Sequence, residues 1–208
     1  MSKKESRRRA SMQRLLDSAL HLFVSRGFRS TNLEQIAGAA KLSKGVVYFY
    51  FGSKQAVLIE LLKRVRAVIV DEALKIAAQA GPRAEDRLVA FLHHQARLGV
   101  THRDEVLLLV LMSLEFGNRR GAVRDEIARI YRMLYKFIER LVADGQAAGT
   151  IRGDLQAREL ASIIMANHDG TFLEWYRRSA SLSGTALVRA LRELVLSGVT
   201  GRKRGRAS

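Results

Sequence analysis

The chain has 208 residues, 48% of them hydrophobic, with 36 Lys/Arg against 20 Asp/Glu and a net charge of +16. That length allows one large domain or two small ones and a sizeable core, while the charge points to a polyanionic partner. The lack of cysteine excludes disulfides, thiol chemistry and thiolate-bound zinc, and no run of about 18 apolar residues offers a membrane span, so a cytoplasmic location is expected.

A single proline, Pro82, and Leu- and Ala-rich segments of helical period predict an all-α protein. Residues 1–54 carry 11 Lys/Arg against 3 Asp/Glu, half of the whole basic excess. Lys3, Lys4, Arg7, Arg8 and Arg9 are expected to form a flexible arm along phosphates or in a minor groove. Helix one is predicted from about Met12 to Arg26, its stripe formed by Met12, Leu15, Leu16, Ala19, Leu22 and Phe23, with Gly27-Phe28 as its stop.

The stretch Thr31–Lys54, TNLEQIAGAAKLSKGVVYFYFGSK, has residue types and spacing that together name a task. Thr31 and Glu34 are expected to form a capping box, so a helix starts near Asn32 with Leu33, Ile36, Ala37 and Ala40 inward. Small Ala37 and Ala40 permit close approach of a second helix. Leu42 plugs the corner, and Ser43 is a good N-cap for a short helix from Lys44 to about Tyr50. Val47 and Phe51 point inward, which leaves Lys44, Gly45, Val46, Tyr48 and Phe49 outward, a cation, a permissive glycine and aromatics suited to a major groove. Lys54 then begins the next helix, a placement that asks for an anion such as phosphate.

The run SKGVVYFYFGSKQAVL resembles the signature of the TetR family of bacterial transcriptional repressors, and the likeness extends over about Ser11 to Leu62. It implies an N-terminal three-helix helix-turn-helix domain and a larger helical regulatory and dimerisation domain. By that resemblance Lys44, Gly45 and Val46 lie at base edges and Tyr48 near base and phosphate, while Asn32, Tyr50 and Lys54 contact the backbone; Thr31, Ser43 and Phe49 complete the DNA-binding set. Val46 stands where the family commonly has Thr or Ser, so contact with a thymine methyl replaces a hydroxyl contact.

Beyond Lys54 a helix of about 27 residues, ~40 Å long, reaches Gly81-Pro82 and can link two domains. Further helices are predicted over Arg83–Val100, over Arg103–Phe116 behind a Thr101/Asp104 cap, and over Ala122–Ala148 with Val123, Ile127, Ile130, Leu134, Phe137, Ile138 and Leu141 inward. Asp154 is expected to cap a helix ending near Trp175, and Ser183 a last one ending near Ser197, nine in all. The domains are therefore 1–54 for DNA, 55–200 for ligand and dimer, and a disordered basic tail over 201–208.

Candidate pocket residues are His93, His94, Met112, Glu115, Phe116, Tyr131, His168 and Trp175, suited to a lipophilic or aromatic effector. Ala161, Ile164, Met165 and His168, with Leu187, Leu191, Leu194 and Val195, are the candidate dimer interface, although in a monomer those stripes also serve a core. The expected partners are a palindromic double-stranded DNA operator, a small-molecule effector and a second copy of the chain, with no cofactor and no membrane. An architectural DNA-binder controlled by a protein is the alternative and would lack a cavity. An enzyme built on His93, His94 and Glu115 is a remote one, since HExxH, a phosphate-cradling glycine loop and a nucleophile elbow are all missing.

Overall fold

The computed structural model describes residues 3–178 and 181–200, all helix and connecting turns with no strand among them. The expected tail over 201–208 lies outside the described residues. Helices α1 (Lys3–Arg26), α2 (Leu33–Ala39), α3 (Lys44–Phe51) and α4 (Lys54–Arg66) open the chain. A π-helical turn, Ala67–Asp71, carries α4 directly into α5 (Glu72–Gln79). Then follow α6 (Ala84–Thr101), α7 (Arg103–Phe116), α8 (Ala122–Ala147), α9 (Ala157–Arg178) and α10 (Gly184–Thr200). With α4, the π turn and α5 counted as one run, the described residues form the nine helices expected.

Contacts divide the chain into two compact units, one made of the residues up to Ala67 with His102–Ile130, the other of Val68–Thr101 with the residues from Tyr131 onward. In the first, Leu15, Ala19 and Phe23 of α1 pack with fully buried Ile36, Val47, Leu58, Leu61 and Leu62. The stripe of α7, including buried Leu108, Met112 and Phe116, belongs to this unit. Phe28 joins it to α1, its ring 5.2 Å from both Phe23 and Phe116. Arg64 donates to Asp17 of α1 at 2.5 Å and to Glu105 of α7 at 3.1 Å, and Arg29 reaches Glu115 at 3.2 Å. Packing and charge thus make α7 part of the body that holds α1–α3.

The second unit is built around Leu88, Phe91 and Leu92 of α6 with Leu134, Ile138 and Val142 of α8, and the Phe91 and Phe137 rings lie 5.7 Å apart. A π turn leaves backbone carbonyls out of the usual ladder. Here the buried Gln95 Nε2 donates to the Ile69 carbonyl at 2.9 Å, which satisfies one of them.

Several local expectations are corrected. The basic segment Lys3–Arg9 is helical, the first turns of α1, rather than a flexible arm. The capping box is one residue later than expected: Asn32 Oδ1 accepts from the Gln35 amide and Gln35 Oε1 from the Asn32 amide, each at 2.8 Å. An amide side chain at each position forms the same reciprocal pair that was expected of Thr31 and Glu34, one residue further along. Thr101 belongs to α6 and donates to the Arg97 carbonyl, so it does not cap α7. Asp154 is taken by a two-point pair with Arg152 at 2.6 and 2.7 Å, and α9 starts at Ala157 instead. Ser183 does cap α10, its Oγ accepting from the Ala186 amide at 3.3 Å.

Candidate functional site

The turn between α2 and α3 is held from outside itself. Lys41 adopts a left-handed φ of 54°, an uncommon cost for a side-chain-bearing residue. The Arg14 guanidinium from α1 donates to the Ala40 and Lys41 carbonyls, which fixes the corner. Arg14 reads as one more surface cation in sequence, and its role was missed for that reason.

Helix α3 is anchored by fully buried Val47 and presents its other side to solvent. Phe49 is 80% exposed and Tyr48 44%, and Lys44 and Gly45 are exposed beside them. Large aromatics left in water at that density are unusual unless a partner covers them. A Cβ added at Gly45 would meet nothing nearer than Ser43 Oγ at 4.0 Å, so nothing inside the protein requires glycine there. Ser43 occupies the N-cap position of α3, but its side chain makes no capping bond. Tyr50 is half-buried under α1, with the Arg8 guanidinium carbon 5.9 Å from its ring centroid. Asn32 and Val46 complete the surface, the first exposed and the second half-buried.

Two members of the expected DNA-contact set are corrected. Thr31 is only 1% exposed, and its hydroxyl donates to the Gly27 carbonyl at 2.9 Å, so it closes the α1–α2 corner. Lys54 Nζ donates to the Phe28 and Thr31 carbonyls, both at 2.7 Å, and to the Arg29 carbonyl at 3.3 Å, with the Phe28 ring centroid 4.4 Å away. An ammonium has three donors, and these carbonyls take all three. The anion that a lysine at a helix start asks for is supplied by carbonyl dipoles. Burial lowers the Lys54 pKa from its ordinary value, and nearby Glu115 opposes that shift.

The second unit holds a cavity of about 560 Å³ between α6, α9 and α10. Its apolar walls include Leu92, Val100, Phe172, Trp175, Leu187 and Val188, with Arg97, Arg189 and Arg192 among its polar residues. Gly99 lets α9 approach α6 closely beside it: a Cβ there would lie 3.3 Å from the Phe172 ring. Of the expected pocket residues, His93, His168 and Trp175 line this cavity. His168 Nδ1 lies 2.9 Å from Asp169 Oδ1.

The other five do not line it. His94 is buried, its Nδ1 3.0 Å from the guanidinium of Arg97, whereas the neighbouring His93 is exposed. Met112, Glu115 and Phe116 belong to the first unit, where Met112 and Phe116 are core and Glu115 pairs with Arg29. Tyr131 stacks on Tyr135 along α8, their centroids 6.2 Å apart. Gln95 and the three arginines were missed because glutamine and arginine on amphipathic helices normally mark a solvated face.

Of the expected interface residues, Ala161, Ile164, Met165, Leu191 and Val195 are core positions of the second unit, buried within one chain. Leu194 remains 61% exposed, and Ile163, which helical spacing did not single out, is 60% exposed.

Residues 15–61 match the model of bacterial regulatory proteins of the tetR family, and residues 108–192 match the tetracyclin repressor-like C-terminal domain. The crystal structure of the MbdR regulator from Azoarcus sp. CIB is 44% identical, covering 90% of this chain and 98% of its own, with a TM-score of 0.82. The KstR2 repressor of Rhodococcus jostii is 27% identical over 89% of each chain. FadR from Bacillus subtilis, solved in complex with stearoyl-CoA, is 21% identical over 89% of this chain and 98% of its own, with a TM-score of 0.76, which speaks for the fold.

Proposed function

Since the chain belongs to the TetR family of bacterial regulatory proteins and is a ligand-responsive transcriptional repressor of that type, we propose that α3 reads its operator and the α6–α9–α10 cavity takes its effector. The observation that carries the reading is the exposed set Lys44, Gly45, Tyr48 and Phe49, with half-buried Val46 at its rim, held on a helix whose other side is core. Lysine donates to guanine acceptors, the open space at Gly45 admits a base edge or phosphate, and Val46 suits a thymine methyl. Ser43 and Asn32, at two neighbouring helix starts, face the phosphates together with Tyr50.

The DNA-binding function belongs to residues 1–54, and effector binding and dimerisation to 55–200. The cavity suits an effector with an apolar body, flanked by Trp175 and Phe172, and an anionic end met by Arg97, Arg189 or Arg192. The stearoyl-CoA held by FadR is a ligand of that description. Exposed Ile163 and Leu194 are apolar surface on α9 and α10 for a homodimer, which a palindromic operator requires. DNA and effector each favour a different arrangement of the two copies, and an effector with equal affinity for both would release nothing. The location is the cytoplasm, where operator DNA lies; among the described residues no helix is long and apolar enough to cross a membrane.

The test is a fluorescence-anisotropy titration against DNA from upstream of the protein's own coding region and against a scrambled duplex at physiological salt. The reading expects discrimination of about a thousandfold or more. Equal, salt-dependent binding to both would overturn sequence-specific repression from that site. Trp175, the one tryptophan of the chain, lines the cavity and reports its occupancy. Its emission should change saturably with stearoyl-CoA, and no change with stearoyl-CoA or free stearate would remove the amphipathic-anion reading.

A further inference from the structure

The first turn of α2 carries one carboxylate, Glu34, which is not part of the Asn32–Gln35 capping box. Its Oε1 lies 2.5 Å from Lys44 Nζ and accepts from the Tyr48 hydroxyl at 3.4 Å. The same ammonium sits 5.5 Å from the Tyr48 ring centroid. A single oxygen from one helix thereby holds two residues, one turn apart, on the outward face of the next. Without Glu34, the start of α3 would hold a cation at the positive end of a helix, with no acidic residue in its first turn and no side-chain cap.

We propose that Glu34 is a specificity-determining residue of the DNA interface: it orients Lys44 and Tyr48 for base edges and opposes their engagement with phosphate on DNA of the wrong sequence. The inference rests on the assignment of α3 as the reading helix. An ammonium has three donors, so Lys44 keeps its bond to Glu34 and still offers two to guanine O6 and N7. A phosphate is drawn to Lys44 mainly by its full negative charge, which the Glu34 carboxylate beside it repels, whereas guanine O6 and N7 carry only partial charge. The carboxylate therefore costs more on random DNA, where binding is nearly all electrostatic, than on the operator. Both groups are well exposed, so the pair contributes little to folding and its effect falls on binding. The Lys44 hydrogen bond holds the Glu34 carboxyl below its ordinary range.

The experiment uses full-length protein and a duplex enriched from a random library by the unaltered chain, measured by anisotropy against a scrambled duplex over a range of salt. Glu34→Gln should bind the scrambled duplex more tightly, steepen its salt dependence by about one unit of slope, and lower operator discrimination by about tenfold or more. In the Glu34→Gln background, Lys44→Ala should cost less discrimination than it does in the unaltered chain. If Glu34→Gln moves both duplexes by the same factor, Glu34 is only a surface charge and the proposal is overturned while the reading helix stands. If the unaltered chain enriches no sequence at all, the assignment of α3 fails, and the proposal with it. Unchanged helical signal and melting temperature in Glu34→Gln exclude misfolding as the cause.

Discussion

Lys54 and Phe28 are joined twice: the lysine ammonium lies 4.4 Å from the centroid of the phenylalanine ring and 2.7 Å from the carbonyl oxygen of the same residue. The phenylalanine is also in edge contact with Phe116 of α7. One lysine thus ties the start of α4 to the α1–α2 corner, beside the point where α7 joins the same unit.

Lys54→Met should therefore act on folding rather than on phosphate binding. Charge-assisted hydrogen bonds to carbonyls that stay partly buried are worth about 1.5–3 kcal/mol, and urea unfolding should show a loss of that size. The slope of log affinity against log salt for DNA should stay unchanged in the protein that remains folded. A slope lower by about one unit would return Lys54 to the phosphate contacts.

Lys44→Ala should behave in the opposite way. It leaves the fold intact, because the side chain is exposed, and should cost ~1–3 kcal/mol on the preferred operator with a smaller loss on scrambled DNA. Anisotropy titrations on the two duplexes separate the cases, and equal losses would make Lys44 a backbone contact.

Arg64 bridges Asp17 and Glu105, and Glu105 is buried. Arg64→Leu should destabilise by roughly 1.5–3 kcal/mol, mostly because the Glu105 carboxylate loses its partner. Adding Glu105→Gln to it should recover part of the loss. A double-mutant cycle in urea with purely additive effects would show that the two residues do not interact.

Gln95→Leu removes the donor that serves the Ile69 carbonyl in the π turn, and also an amide oxygen that lacks a hydrogen-bond partner. The first effect exceeds the second, since the carbonyl stays buried, and a net loss of about 1–2 kcal/mol is expected. Amide exchange across Ala67–Asp71 should quicken, because the turn loses its outside support. Unchanged exchange there would mean that Gln95 does not hold the turn. Gln95 also lines the cavity, so occupancy of the cavity should change exchange in the same segment.

Local chemistry was legible wherever it depends on neighbours in the chain. The all-helical class, the nine helices, Ser183 as a cap and Val47 as the buried anchor of α3 follow from spacing and propensity, which act within a turn or two. The outward Lys44, Gly45, Tyr48 and Phe49, with Val46 at the rim, followed from the same periodicity, since a helix with one buried face leaves the rest in water. What tertiary structure alone decided are the partners brought from far along the chain. Lys54 looks free for phosphate until three carbonyls 23 to 26 residues away take its donors. Glu34 looks like a cap until Lys44 folds against it, and Met112 and Phe116 look like pocket residues until α7 joins the reading helices. Arg97, Arg189 and Arg192 look like scattered surface charges until α6, α9 and α10 bring them around one cavity. A side chain's periodicity sets the direction in which it points, but the group it meets is set by packing between helices distant in sequence.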